Sequence, residues 1–251
     1  MPMSEREEFA RTGIKGVDEI LANKGIPRSY VVFVIGSPGS GKTTLALQFL
    51  YNGVKEYGEN GVYVSLDEEP DALVKNAKAV GLDLSKMIKD DKLAIIDASP
   101  IRFLPGEVKL GDISVGKREF ALISLIDAIK KNVERLGAKR LVVDPLATLI
   151  LQYPDAAERR TAVLDLMQAI ASTGCTTLLI SELTTSSLYR KYQFEEFLAQ
   201  GVLILRKILR PGGMLRIFSV EKMRGVDHDT QPHPYKIGDG GIEVYPSEIA
   251  L

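Results

Sequence analysis

The sequence predicts an α/β fold in which helices cover both faces of a mostly parallel central sheet. Short apolar runs alternate with amphipathic helical stretches over the first two thirds of the chain, a pattern typical of parallel strands joined by helical crossovers. Runs such as "YVVFVIG" are apolar at successive positions, which indicates strands buried on both faces. The last third instead carries strand-like segments joined by glycine turns, so we expect antiparallel hairpin strands that extend the sheet from one edge.

The elements follow one another with no repeat and no linker rich in proline, glycine or serine. We therefore expect a single domain over residues 1–251, with 1–10 as a flexible N-terminal tail. Periodicity predicts strands within 30–36, 61–67, 92–99, 139–150 and 175–183, and helices within 12–22, 41–57, 70–82, 117–137 and 156–174. Residues 106–116 form a predicted polar loop. "GVLILRKIL", the turn "RPGG" and "MLRIFSVEK" predict one hairpin, and "YKIGDGGIEVYP" predicts a second.

Composition and charge narrow the class of protein. Hydrophobic residues make up 45% and charged residues 26% of the chain, values ordinary for a globular protein. A net charge of -1 gives no overall attraction to nucleic acid or to an anionic membrane. The single cysteine excludes an intramolecular disulfide, the polar N-terminus lacks signal-peptide features, and no apolar run approaches the ~20 residues of a membrane helix. We expect a cytoplasmic protein without membrane contact.

The stretch "GSPGSGKT" after the first long strand carries the clearest chemical signal. Gly36, Gly41, Lys42 and Thr43 satisfy the Walker A pattern G-x-x-x-x-G-K-[ST]. Glycines let backbone amides approach phosphate oxygens, and the following helix points its positive end at the same anion. In this pattern the lysine reaches the β- and γ-phosphates and the threonine hydroxyl ligates Mg²⁺. A glycine-rich turn without a ligand is the alternative, but the strand–motif–helix context favours nucleotide binding.

Acidic residues end two further strands. Asp144 in "RLVVDP" is expected beside Thr43 as a magnesium ligand, because the carboxyl ends of parallel strands meet at one edge. Alternatively it only ends a strand before a proline turn. "YVSLDEEP" places Asp67, Glu68 and Glu69 at another strand end, where a carboxylate would orient or deprotonate water. A solvated acidic loop before a helix explains the same pattern, and the residues alone leave both interpretations open.

These segments together resemble the RecA-like ATPases and, within them, the KaiC family. "TGIKGVDEIL" followed by "KGIP" is similar to that family's approach to the phosphate loop, and "GVYVSLDEEP" to its strand that ends in an acidic pair and a proline. "KYQFEEFLAQGVLILRKI", "KMRGVDHDTQPHPYKI" and "GIEVYP" are similar to its C-terminal region. The resemblance runs from about Arg11 to the C-terminus and is closest to the first of the two tandem ATPase domains of KaiC.

The resemblance implies a RecA-like P-loop fold with ATP and Mg²⁺ as cofactors. It also implies a homo-oligomer in the form of a hexameric ring. This ring would hydrolyse ATP slowly, and the hydrolysis would be coupled to conformational change or to a regulatory protein partner. The family's acidic pair, which includes the catalytic base, falls on Asp67 and Glu68. The first position of the pair is usually glutamate in the family but is Asp67 here. This difference leaves open which of the two carboxylates acts on water.

Further residues are assigned by the same resemblance. Lys222 and Arg224 match a segment that reaches the neighbouring subunit's nucleotide, as an arginine finger does; the residues alone favour basic side chains on an exposed edge strand. The implied catalytic residues are Asp67, Glu68, Lys42 and Arg224, and the implied metal ligands are Thr43 and Asp144. The implied nucleotide contacts are Ser37, Pro38, Gly39, Ser40, Gly41, Lys42, Thr43, Thr44, Lys222, Met223, Arg224, His228 and Asp239. Ser181 and Glu182 match a region that senses the γ-phosphate.

Two other functions share this core. A DNA-handling RecA relative would line a channel with basic loops, here supplied by Arg102, Lys109, Lys117, Arg118, Arg190 and Lys191; we favour a solvated surface for them. An autokinase would phosphorylate a hydroxyl among Thr184, Thr185, Ser186 and Ser187. The resemblance to the first KaiC domain favours hydrolysis over self-phosphorylation.

Overall fold

The structure is a computed structural model that describes residues 8–99, 107–110, 113–153, 155–183 and 194–250. The strands are β1 Phe9–Ala10, β2 Ile26–Pro27, β3 Val31–Gly36, β4 Gly61–Ser65, β5 Leu93–Asp97, β6 Glu107–Leu110, β7 Ile113–Gly116, β8 Arg140–Asp144, β9 Thr176–Glu182, β10 Gly201–Arg210, β11 Gly213–Met223, β12 His233–Gly238 and β13 Gly241–Val244. The helices are α1 Val17–Ile20, α2 Lys42–Tyr57, α3 Pro70–Ala79, α4 Ser85–Lys89, α5 Lys117–Leu136, α6 Leu146–Ile150, α7 Ala156–Ala171 and α8 Phe194–Leu198.

In the described part of the chain, nine strands form the central sheet, in the order β13-β12-β11-β10-β3-β9-β8-β4-β5. Every neighbouring pair from β10 to β5 is parallel. The pairs β10-β11, β11-β12 and β12-β13 are antiparallel. The prediction of a mostly parallel sheet, extended from one edge by C-terminal hairpin strands, is confirmed.

Strand β3 lies inside this sheet and is buried along its whole length. Val32 and Val34 face one apolar layer, which includes side chains of α2. Val31, Phe33 and Ile35 face the other layer, which includes side chains of α5 and α7. Apolar residues at successive positions of β3 are thus required by burial on both faces, and the loop after β3 leaves the sheet at its carboxyl end.

A buried arginine fixes helix α2 to the sheet. Arg140, with no exposed surface, forms an ion pair with Glu59 at 2.6 Å and donates to the carbonyl oxygens of Phe49 at 2.8 Å and Arg11 at 2.7 Å. A Cβ atom at Gly53 would lie 2.5 Å from Arg140 Cδ. The contacts of one guanidinium therefore hold together β8, α2 and the N-terminal segment.

Three segments differ from their predictions. The predicted loop 106–116 contains β6 and β7, which pair as an antiparallel hairpin. The predicted strand 139–150 ends at Asp144, and helix α6 follows, because Pro145 has no backbone N–H for a sheet ladder and suits the start of a helix. Phe9 and Ala10, placed by the prediction in a flexible tail over 1–10, form β1 and pair with β2; residues 1–7 lie outside the described residues.

Candidate functional site

The loop between β3 and α2 has a shape that requires its glycines. A Cβ atom at Gly36 would lie 2.5 Å from the Ser40 hydroxyl oxygen and 2.7 Å from the Leu205 carbonyl oxygen. Gly39 and Gly41 have φ angles of 69° and 92°, a region that residues with a side chain rarely adopt. The Walker A glycines are therefore explained by backbone geometry before any ligand is considered.

Polar groups in this loop fit a phosphate. The hydroxyl oxygens of Ser37 and Ser40 are buried and have no hydrogen-bond partner among the described residues. Helix α2 begins at Lys42 without a side-chain cap, so its first amides are available to an anion. The Tyr235 hydroxyl donates to the Ser40 carbonyl oxygen and ties the loop to β12.

Lys42 lies across the mouth of the loop. Its ammonium group donates to the carbonyl oxygens of Gly36, at 2.8 Å, and of the next residue, at 3.3 Å. Burial lowers the pKa of Lys42, while the carboxylates of Asp144 and Glu182 raise it. Glu182 stands at the end of β9, so the carboxyl ends of neighbouring strands contribute opposite charges to one place.

Asp144 meets the phosphate loop at the end of β8. Its Oδ2 atom accepts a hydrogen bond from the Thr43 hydroxyl at 2.7 Å and another from the Tyr63 hydroxyl at 2.6 Å. Only 8% of Asp144 is exposed, and burial raises the pKa of its carboxyl group, opposed by those two hydrogen bonds. A hydroxyl and a carboxylate are hard oxygen donors, which Mg²⁺ prefers. The pair therefore fits a magnesium ion.

The acidic turn after β4 contributes two of its three carboxylates to the same pocket. The Asp67 carboxylate accepts from the Thr148 hydroxyl at 2.5 Å, and the Glu68 carboxylate accepts from the Asn76 amide at 2.5 Å. Glu69 instead occupies the N-cap position of α3. The pocket has a volume of about 190 Å³ and is lined by Lys42, Thr43, Tyr63, Ser65, Asp67, Glu68, Asp144, Pro145 and Glu182.

Sequence reasoning missed the residues that orient these carboxylates. Tyr63 and Thr148 contact acidic residues 81 positions away in the chain. The Ser65 hydroxyl donates to the Glu68 carbonyl oxygen at 2.5 Å and accepts from the Glu68 amide at 3.2 Å, which shapes the acidic turn. A tyrosine hydroxyl within an otherwise apolar buried strand needs a partner, and this was the available signal for Tyr63.

Lys222 and Arg224 lie away from the phosphate loop of their own chain. The register aligns Lys222 with Val202 and Phe33, two strands across the sheet and three residues back from Gly36. These offsets correspond to roughly 10 Å in each direction. The Lys222 ammonium donates to a carbonyl oxygen of α8 at 2.7 Å, and the Arg224 guanidinium donates to the next one at 3.3 Å.

The other three predicted nucleotide contacts lie in different surroundings. Met223 is part of the apolar core. His228 follows the Lys222–Arg224 segment, and its Nδ1 atom lies 3.2 Å from the Val226 carbonyl oxygen. Asp239 lies in the β12–β13 turn, where its carboxylate packs against Gly81. It lines a second pocket, of about 490 Å³, to which side chains of α2 also contribute. The predicted nucleotide contacts therefore lie in three places: the phosphate loop, the segment from Lys222 to His228, and the β12–β13 turn.

The segments considered for DNA binding and self-phosphorylation lie outside the described residues or side chains. This applies to Thr184, Thr185, Ser186 and Ser187, and to Arg102, Lys109, Lys117, Arg118, Arg190 and Lys191. Those two hypotheses remain untested predictions. Within the described ranges, no helix combines the length and apolarity that crossing a lipid bilayer requires.

Comparison with known proteins gives a consistent result. A family profile described as "ATPase: KaiC" matches residues 10–249. The chain is 33% identical over 246 residues to the circadian clock oscillator protein KaiC of Synechococcus elongatus, covering 97% of this chain but 46% of that protein. It is 35% identical over 246 residues to a UPF0273 protein of Methanocaldococcus jannaschii, covering 95% and 97% of the two chains.

A solved structure is also similar. The crystal structure of a KaiC-like protein from Pyrococcus horikoshii superposes with a TM-score of 0.79 at 33% identity, covering 94% of this chain and 98% of that one. The chain thus spans about half the length of the Synechococcus KaiC and nearly all of these archaeal relatives. With a phosphate loop, an acidic strand end and a RecA-like sheet in place, the chain belongs to the KaiC family of ATPases.

Proposed function

We propose that the chain is a single-domain, Mg²⁺-dependent ATPase that hydrolyses ATP slowly at sites formed between subunits of a ring. One observation carries the proposal: the Thr43 hydroxyl and the Asp144 carboxylate meet at 2.7 Å, in the pocket that also holds Lys42 and the acidic turn. Groups suited to bind phosphate, to hold a metal ion and to orient a water molecule therefore lie together at one edge of the sheet.

Each group in the pocket has a defined task. The loop amides, the buried hydroxyls of Ser37 and Ser40, and Lys42 bind the phosphates. Thr43 and Asp144 hold Mg²⁺, which when bound neutralises charge on the β- and γ-phosphates. Glu182 lies near enough to Lys42 to raise its pKa, so it helps keep that lysine charged.

Two carboxylates are candidates for orienting the attacking water. Thr148 donates to Asp67 and Asn76 donates to Glu68, both at 2.5 Å, so each carboxylate is oriented by a neighbour, although Asp67 is exposed and Glu68 is half-buried. Water orientation or proton transfer by such a group contributes about 10²- to 10⁴-fold to the rate. The carboxylate whose amide variant loses this factor, while ATP still binds, is the one that acts on water.

Lys222 and Arg224 are proposed to complete the site of the next subunit. Their position, roughly 10 Å back along the sheet and roughly 10 Å across it from their own phosphate loop, is unsuited to contact in cis. An arginine supplied in trans to the γ-phosphate raises phosphoryl transfer rates by about 10³- to 10⁵-fold. Head-to-tail contacts of this type close into rings, and we propose a hexamer whose shape changes with hydrolysis or with a regulatory protein partner.

A mixing experiment tests the shared site. Lys42→Ala removes the phosphate-loop lysine and Arg224→Ala removes the trans contact, so each variant alone is expected to be inactive. In co-assembled oligomers with equal numbers of each, about a quarter of the interfaces combine an intact loop with an intact arginine, and ATP turnover returns to that fraction. Co-assembled oligomers that stay inactive would refute the shared site, and unchanged ATP affinity in Lys42→Ala would refute nucleotide binding by the loop.

A further inference from the structure

The β10–β11 hairpin passes beside the phosphate loop of its own chain. Strand β10 pairs with β3 up to Leu205, which aligns with Gly36 at the start of the loop. The hairpin continues beyond this point to its turn, still paired at every residue from Arg206 to Arg210. The residues that follow Leu205 are therefore carried past the end of β3, at the level of the loop.

Lys207 is the residue of this hairpin that reaches the loop. Its ammonium nitrogen lies 3.1 Å from the position that a Cβ atom on Gly39 would occupy. Gly39 is the middle glycine of the Walker A segment, with a φ angle of 69°. Lys207 is half-buried, so its ammonium group is held against the loop instead of extending into solvent.

The charges around Lys207 are unfavourable without an anion. Lys207 is paired directly across the hairpin with Arg216, and like charges at opposed positions destabilise a sheet. Neither side chain has a carboxylate partner within the described ranges. The Arg216 Nε atom is moreover buried with no hydrogen-bond partner there.

A third cation lies in the same place. This cation is the Lys42 ammonium group, which donates to the carbonyl oxygens of Gly36 and Ser37 in the same loop that Lys207 reaches at Gly39. The two ammonium groups repel each other across a loop whose Ser37 and Ser40 hydroxyls are buried without a described partner. A polyanion bound between them would attract both, so its binding replaces a repulsion with two favourable interactions.

We propose that Lys207 is a second phosphate-binding lysine, which contacts the polyphosphate of the nucleotide in the same subunit as Lys42. This inference rests on the proposed function and extends it, since Lys207 lies outside the Walker A motif and on the opposite side of the loop from Asp144. It assigns the hairpin a binding role in cis, distinct from the trans role of Lys222 and Arg224 at the other end of β11.

Direct binding measurements test this role. ATP and ADP affinities are measured with fluorescent analogues for the unmodified protein, Lys207→Gln, Lys207→Arg and Lys42→Ala. The matched control is Arg210→Gln, which removes a positive charge from the exposed tip of the same strand. Losing one charge-assisted contact should weaken ATP binding about tenfold in Lys207→Gln, and the affinity of tripolyphosphate as a competitor should fall by the same factor. Lys207→Arg and Arg210→Gln should bind within about twofold of the unmodified protein.

Thermal melting without nucleotide separates binding from a structural role. Because Lys207 faces Arg216 and Lys42, Lys207→Gln should melt at the same temperature as the unmodified protein or higher. Unchanged ATP affinity in Lys207→Gln, or an equal loss in Arg210→Gln, would overturn the inference while leaving the proposed function intact, provided Lys42→Ala loses binding. If the unmodified protein itself binds no ATP, the proposed function fails first.

Discussion

Tyr63→Phe removes the hydroxyl oxygen that contacts Asp144 and leaves the aromatic ring in place. The Tyr63 hydroxyl donates to Asp144 Oδ2 at 2.6 Å, and both residues are buried. A hydrogen bond to a charged group contributes about 1.5–3 kcal/mol. The free energy of unfolding of the variant should therefore be about 2 kcal/mol lower than that of the unmodified protein near neutral pH.

The loss should depend on pH in a defined direction. Burial raises the pKa of Asp144, and the Tyr63 hydrogen bond opposes that rise, so the variant holds this pKa higher still. A carboxyl group with a raised pKa in the folded state binds protons more readily when folded, so stability falls as pH rises through the window above its ordinary value. The destabilisation by Tyr63→Phe should accordingly be largest near neutral pH and shrink below about pH 4, where Asp144 is protonated in both states.

Urea unfolding at several pH values measures the loss of unfolding free energy in Tyr63→Phe and its dependence on pH. The control is Tyr51→Phe, which removes the same atom from a half-buried ring on α2. A loss below about 0.5 kcal/mol near pH 7, or a loss that stays constant down to about pH 4, would refute the argument. The same variant should need more Mg²⁺ for half-maximal turnover, because its Asp144 carboxylate is less firmly oriented.

Three further outcomes are expected. Thr43→Val should leave the fold intact and raise the Mg²⁺ requirement for ATP binding, measured by titration of the metal, whereas an unchanged requirement would exclude Thr43 as a ligand. Asp67→Asn and Glu68→Gln should both retain ATP affinity while one of them lowers turnover about 100-fold or more; equal activity of both with the unmodified protein would exclude the acidic turn from catalysis. Arg140→Met should destabilise the chain by about 3 kcal/mol, because Glu59 would keep only Arg28 as an ion-pair partner among the described residues and the carbonyl oxygens of Phe49 and Arg11 would lose their donor; a melting temperature equal to the unmodified protein's would contradict this prediction.

The shape of the loop after β3 and the position of Asp144 were predictable because each depends on one short segment of sequence. The Walker A spacing fixes a backbone shape, and a single acidic residue at the end of an apolar strand must reach the carboxyl edge of a parallel sheet. The structure places Thr43 and Asp144 in contact, as those two rules require, and the sheet confirms the predicted fold class.

Contacts between distant segments were not predictable in this way. Tyr63 meets Asp144, and Thr148 meets Asp67, only after neighbouring strands and α6 have assembled. An apolar run such as "PLATLI" has the periodicity of a strand or of a buried helix, and its assignment to the fourth strand was wrong. The pairing of β6 with β7 likewise depends on cross-strand register, which composition does not encode.

Strand β11 connects the region beside the phosphate loop with the region around Arg224. Arg216, opposite Lys207, stands at the phosphate-loop end, and Arg224 follows the last residue of the strand, a span of about 26 Å in extended backbone. A strand that is hydrogen-bonded along its length to its neighbour, as β11 is to β10, does not stretch easily, so a displacement at one end is transmitted to the other. If Arg224 serves the adjoining subunit, each nucleotide site is joined to the next by one copy of β11, and the binding free energies of neighbouring sites are coupled reciprocally.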